Sequence, residues 1–295
     1  MTAALERTIS DTHSTEELPG DRVRGEGEDA TGDPAADEAY DALGATYALY
    51  SEVFARNSVD GKGLPLDATV HYGRQYDNAF WNGERMVFGD GDGEIFTRFT
   101  ISASVIGHEL THGVTQYSAN LTYQGQSGAL NESVSDVFGA LVEQYAARQS
   151  ADEASWLIGA GLFTERVQGT ALRSMKAPGT AYDDDELGVD PQPATMAGYV
   201  TTSDDNGGVH LNSGIPNHAF YLAATQIGGQ AWEGAGRVWY DALTTRVGAS
   251  DDFAAFARAT TASAGDRFGP QSSQADAVAA AWVAVGVDVD VDAHG

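Results

Sequence analysis

The chain of 295 residues has no cysteine and only two lysines, Lys62 and Lys176. No disulfide is therefore possible, and the redox compartment cannot be read from thiol pairing. Basic residues are scarce against acidic ones, 16 to 43, giving a formal net charge of −27. Such a surface argues against nucleic acid and against an anionic membrane as partners. It suits solubility, high salt or divalent cations without choosing among them. No apolar run approaches the ~20 residues that a membrane span needs. The opening Met1-Thr2-Ala3-Ala4-Leu5-Glu6-Arg7 has no basic segment followed by an apolar stretch, so no export signal is visible. What is present is globular: 42% hydrophobic and 9% aromatic residues, enough for one large or two modest domains.

Residues 1–36 are acidic and broken by glycine and proline, and they read as a loosely packed or extended start, strand and loop laid over a core. Apolar residues at helical spacing follow between Asp37 and Val53. Short strand-like pieces come next: Thr69–Tyr72, Arg85–Phe88 and Ile95–Thr97, the last two joined by a hairpin turn at Gly89–Gly93. The spacing predicts a helix over Ser102–Tyr117 and a second over Leu130–Ala147. The stretch to about residue 286 is alanine-rich and mostly helical, with a polar interruption at Ala177–Gly208, and residues 287–295 form an acidic tail.

The most informative segment is His108-Glu109-Leu110-Thr111-His112. On a helix, side chains four apart lie one turn above each other, so both imidazoles can reach one ion. Glu109 lies ~100° round the same helix, close enough to hold a water beside that ion. Ile106, Leu110 and Val114 form the opposite, core-facing stripe. A later carboxylate completes the usual ligand set of a catalytic zinc. Glu132, in Ala129-Leu130-Asn131-Glu132-Ser133, follows His112 after 19 residues, enough to finish one helix, turn and bring another back alongside. A glycine and a third histidine soon after the second would mark the metzincins; Thr115 and Ser118 stand there instead.

With this spacing and the Ala-Leu-Asn-Glu-Ser run, the chain resembles the thermolysin-like neutral zinc metalloproteases, and its short N-terminal region resembles their protealysin-like branch. Three more segments carry the likeness: Asn78–Gly83, Ala171–Met175 and Asp205–Gly214. The resemblance implies an α+β two-lobed fold, residues 1–120 forming a mixed lobe with the HExxH helix at the cleft floor and residues 121–286 a helical lobe. It implies a zinc endopeptidase cutting on the amino side of bulky hydrophobic residues. His108, His112 and Glu132 would hold one Zn²⁺, with Asn131 and Asp136 orienting the two rings. Glu109 would be the general base, and Tyr123 and His210 would donate to the oxyanion, with Asp205 fixing the His210 tautomer. Asn78, Ala79, Trp81 and Arg173 would hold the substrate backbone. Phe96, Phe99, Val105, Ile158, Leu162 and Leu172 would line the pocket after the scissile bond.

The family's calcium pair is only partly matched: Glu143 falls at one ligand position, but Ser104 replaces an expected aspartate. His71 and His218 read as structural histidines. The resemblance further implies a secreted monomer acting on proteins and peptides, partnered by a removed propeptide or a proteinaceous inhibitor. A cytoplasmic location is the alternative where no signal peptide is visible.

Overall fold

A computed structural model describes residues 5–289. β1 (Arg7–Asp11) pairs antiparallel with β2 (Asp21–Gly25) and parallel with β3 (Leu66–Val70). At the far edge β4 (Ala79–Trp81) runs antiparallel to β5 (Met86–Phe88), which lies parallel to β3. The sheet order is thus β2-β1-β3-β5-β4. Of the two readings of the start, strand over a core is the one observed: residues 7–25 supply two of its five strands, and Ile9 is fully buried. Composition does not choose between them because β1 is polar in side chain, while its backbone is bonded on both flanks by β2 and β3.

α1 (Pro34–Ala48) covers the sheet. Its start follows from sequence: Asp33 Oδ1 accepts from Ala35 N at 2.8 Å, and proline occupies the first turn, where its missing N–H costs nothing. The helix runs on into a π-helical turn, Leu49–Val53. The expected strand at Ile95–Thr97 does not form beyond a single bridge of Phe96 with Phe163. Asp92 Oδ1 accepts from Glu94, Ile95 and Phe96 N at 2.9, 2.8 and 3.0 Å, so a side chain takes the donors a hairpin ladder would need.

α2 (Ala103–Gln116) lies against α3 (Gly125–Ala147), which begins five residues before the apolar stripe suggests. The two backbones nearly touch. A Cβ on Gly139 would fall 2.3 Å from Ser104 O, and one on Gly107 would lie 3.1 Å from Gly139 Cα. Only hydrogen fits at this crossing, and the closeness places Glu132 beside the histidines. Below the crossing, Ile106, Leu110 and Val114 meet Val134, Val137, Phe138 and Leu141 in one buried core.

Beyond α3 the chain makes two small ladders, β6 (Leu157–Ile158) with β7 (Arg173–Ser174) and β8 (Asp183–Asp184) with β9 (Gly188–Val189). The helices that follow are α4 (Asp205–Asn212), whose Asn206, Gly207 and Gly208 depart from helical backbone, α5 (Gly214–Ile227), α6 (Ala235–Thr245), α7 (Phe253–Phe268) and α8 (Ser273–Ala284). Asp252 and Ser272 cap α7 and α8. Trp239 and Trp282 stack at 6.0 Å with Phe220 and Phe256 edge-on, and this aromatic core fixes the lobe behind the cleft. Among the described residues no helix is long and apolar enough to cross a membrane. The part of the expected tail beyond residue 289 lies outside them.

Candidate active site

α2 presents His108 and His112 one turn apart, their rings T-shaped at 4.8 Å and their Nε2 atoms 3.1 Å from each other. Each far nitrogen is held. His108 Nδ1 donates to Asp136 Oδ1 at 2.7 Å, and His112 Nδ1 donates to Asn131 Oδ1 at 2.8 Å. The Asn131 amide cannot be turned round, because its Nδ2 donates to Leu121 O at 3.1 Å. With protons on Nδ1, both Nε2 atoms carry lone pairs. Glu132 stands against them, Oε2 at 3.4 Å from His108 Nε2 and Oε1 at 3.4 Å from His112 Nε2. Three lone-pair donors facing one another repel unless a cation sits among them. Two imidazoles and a carboxylate, all within 4.8 Å, fit a tetrahedral zinc, whose nitrogen ligands at ~2.0–2.1 Å lie about 3.3 Å apart.

Asp136 is the hub behind this cluster. Fully buried, it accepts from His108, from Arg173 Nε and Nη2 at 2.8 and 2.7 Å, and from Asn217 Nδ2 at 2.8 Å. Burial alone would raise its pKa, but Arg173 and His108 hold it well below the usual carboxylate range. Asn217 is a partner that the sequence reading missed. Its signal is an amide inside the otherwise apolar start of α5, since a buried amide demands a partner.

Glu109 sits half-buried at the cleft floor, its Oε2 accepting from Trp81 N on β4 at 3.2 Å. Desolvation, assisted by the Glu132 charge, pushes its pKa up. The cleft above has a volume of about 570 Å³, and Asn78, Ala79, Trp81, Glu109, Tyr123 and His210 all open onto it. A smaller recess of about 160 Å³ runs off it past Phe99, Val105, Leu172 and Arg173. Ile158 and Leu162 are fully buried behind that recess, and Phe96 instead lines an adjoining cavity.

Tyr123 and His210 close the other side. The Tyr123 hydroxyl donates to Glu132 Oε1 and lies 3.3 Å from His210 Nε2. Burial and the neighbouring Glu132 charge raise its pKa, so the phenol keeps its proton. His210 Nδ1 meets Asp205 Oδ1 at 2.6 Å, and Asp205 Oδ2 accepts from His210 N at 2.8 Å. One carboxylate thus fixes both ring and backbone.

Glu143 is not brought together with other acids. Burial raises its pKa and Ser104 is its hydrogen-bond partner. Among the described residues, the groupings able to hold an ion are His108–His112–Glu132 and Asp11–Asp33–His71. In the second grouping His71 lies between Asp33 and Asp90, at 2.8 Å from each, and its pKa is pushed up to about 9. Both ring nitrogens then carry protons, and the triad is an ion pair network tying the start of α1 to the loop after β5.

Residues 6–116 match the family model described as thermolysin metallopeptidase, catalytic domain, and residues 119–287 match thermolysin metallopeptidase, alpha-helical domain. The chain is 56% identical over 284 residues to an extracellular metalloprotease of Pectobacterium carotovorum subsp. carotovorum, covering 96% of this chain and 81% of that protein. It is 51% identical to protease PrtS of a Photorhabdus species, over 97% of this chain and 77% of that one. Against thermolysin of Alicyclobacillus acidocaldarius subsp. acidocaldarius identity is 41% over 88% of this chain, which spans 46% of that relative. Among solved structures, the precursor of protealysin, a metalloproteinase from Serratia proteamaculans, superposes with a TM-score of 0.95 at 57% identity, covering 98% of this chain and 89% of that one.

Proposed function

The chain belongs to the thermolysin metallopeptidase family and is a metalloendopeptidase, and on that premise we propose that it cuts internal peptide bonds on the amino side of bulky apolar residues. The observation that carries the mechanism is the convergence of His108, His112 and Glu132 lone pairs beside the Glu109 carboxylate, which Trp81 N holds at the cleft floor. Zinc held by those three residues would supply Lewis acidity, polarising the scissile carbonyl and lowering the pKa of a water towards ~7.

The chain's own groups do the rest. Glu109 accepts the attacking water's proton and delivers it to the departing amine, its carboxylate steadied by Trp81 N. Tyr123 and His210 donate to the oxygen that gains charge; Asp205 accepts the Nδ1 proton of His210 and so stabilises the doubly protonated ring whose Nε2–H faces the cleft. β4 lies at the sheet edge, so an extended substrate adds to it as a further strand, with Asn78 and Ala79 gripping the backbone near the cut. Arg173, already committed to Asp136 through Nε and Nη2, offers its remaining donors to a substrate carbonyl. The recess past Phe99, Val105 and Leu172 takes the residue after the scissile bond, which favours Leu or Phe.

Relatives named as extracellular proteases support action outside the cell. A neighbour solved as a precursor supports a propeptide among the partners of this chain.

Digestion of end-blocked peptides tests this. Zinc content should be about one per chain, chelation should abolish cleavage, and cuts should fall before Leu or Phe. Glu109→Ala should retain the metal while turnover falls by ~10²–10⁴. Cleavage that survives the chelator, or a requirement for a free amino terminus, would overturn the proposal.

A further inference from the structure

His210 reaches the cleft from backbone that is costly to hold. Asp205, Asn206, Gly207 and Gly208 run consecutively at φ 50, 49, 85 and 75°. Two of the four carry side chains, which this backbone region disfavours. A turn of this kind persists only where its surroundings over-determine it. From inside, Asp205 holds the His210 ring and amide. From outside, the hold comes from Gln192.

Gln192 Nε2 donates to His210 O at 2.7 Å and to Ser213 Oγ at 3.0 Å, and Ser213 Oγ donates to the same carbonyl at 3.2 Å. A carbonyl only accepts, so the amide nitrogen must face His210. The consequence is that Gln192 Oε1 is buried with no hydrogen-bond partner among the described residues, a desolvated acceptor left uncompensated. The backbone that carries this side chain is fixed in turn. Asp190 Oδ1 accepts from Gln192 N at 3.1 Å, while Oδ2 accepts from Gly179 and Ala181 N at 3.0 and 3.1 Å. A side chain that leaves its own acceptor orphaned while both donors serve the His210 carbonyl network is placed for that carbonyl.

We infer that Gln192 is a positioning residue: it fixes the backbone from which the His210 imidazole reaches the cleft. It faces the cavity shared by Leu172, Arg173 and His210, away from the His108–His112–Glu132 cluster. Its contribution acts through His210 and belongs to the transition state, where oxyanion donors act.

The inference rests on the reading of His210 as an oxyanion donor, and a double-mutant cycle separates the two. Gln192→Leu, His210→Ala and the double variant are compared as zinc-loaded enzymes for kcat and KM on one blocked peptide. Affinity for a phosphonamidate peptide, whose tetrahedral oxygens mimic the transition state, is measured alongside the thermal midpoint. Gln192→Leu should lower kcat and phosphonamidate affinity by the same factor, roughly tenfold or more, with KM moving less than about twofold. In the His210→Ala background the further loss should be less than about twofold. A lower thermal midpoint with wild-type kcat, or an equal loss in both backgrounds, would make Gln192 a mere fastening and overturn the inference. Wild-type kcat in His210→Ala alone would instead remove the reading beneath it. Should Gln192→Leu not fold, Gln192→Met keeps length and volume without the donor and is expected to give the same pattern.

Discussion

On one side of the cleft His108, His112 and Glu132 stand on two adjacent helices, His108 and Glu132 buried and His112 partly so, with both imidazoles bonded at their far nitrogens. On the other, His210 follows a left-handed turn and its side chain is 51% exposed. The helical wall takes its geometry from backbone hydrogen bonds and one glycine crossing. The loop wall takes its geometry from a few side chains, Asp205 and Gln192, each reaching back to main chain. The first wall tolerates little change anywhere along its length. The second can be altered one bond at a time.

Two experiments set the walls against each other, and a third gives a reference point outside them. The largest effect is expected at the crossing: in Gly139→Ala the new methyl lies 2.3 Å from Ser104 O, a backbone atom that cannot swing aside. The helices must part, so zinc content and activity should be lost together, with stability falling by about 1–3 kcal/mol or more. Retained zinc, measured by metal analysis, would refute the glycine's role. On the loop wall, Asp205→Ala should leave zinc content unchanged and lower kcat by roughly 10²-fold, because the His210 ring loses its orienting acceptor. Loss of metal in that variant would mean the walls are not separate.

The smallest effect is expected at His71, away from both. Its folded pKa of about 9 lies above its ordinary value of 6.5 because Asp90 and Asp33 stabilise the charged ring. A raised folded pKa means the contribution is complete below pH ~6.5 and fades as pH rises through ~9. Asp33 and Asp90 are partly exposed and Asp11 adds a third nearby carboxylate, so screening leaves about 1–2 kcal/mol. Denaturant unfolding at pH 6 and pH 9.5 should show that loss in the wild type and little of it in His71→Gln. Equal losses in both would sink the assignment.

The helical wall was legible from the chain alone because helix periodicity turns sequence spacing into distance: four residues place His112 over His108, and 19 bring Glu132 round on the next helix. Asn217 and Gln192 were not. Each comes from a segment distant in sequence, and its partner, Asp136 or the His210 carbonyl, is fixed by tertiary packing without any periodic signal. The polar strand β1 was left as one of two readings for a related reason: its neighbours satisfy its backbone whatever its side chains are. His71 read as structural, but the carboxylates on either side of it, from residues 33 and 90, could not be paired with it before folding.

The near-contact of Gly107 with Gly139 has a consequence for ion choice. Since His108 and His112 belong to one rod and Glu132 to the other, the radius of ion the three can embrace follows from a single interaxial gap. If those three residues hold the metal, selectivity among divalent ions would be set partly by two hydrogen atoms, at the places where any other residue would insert a carbon.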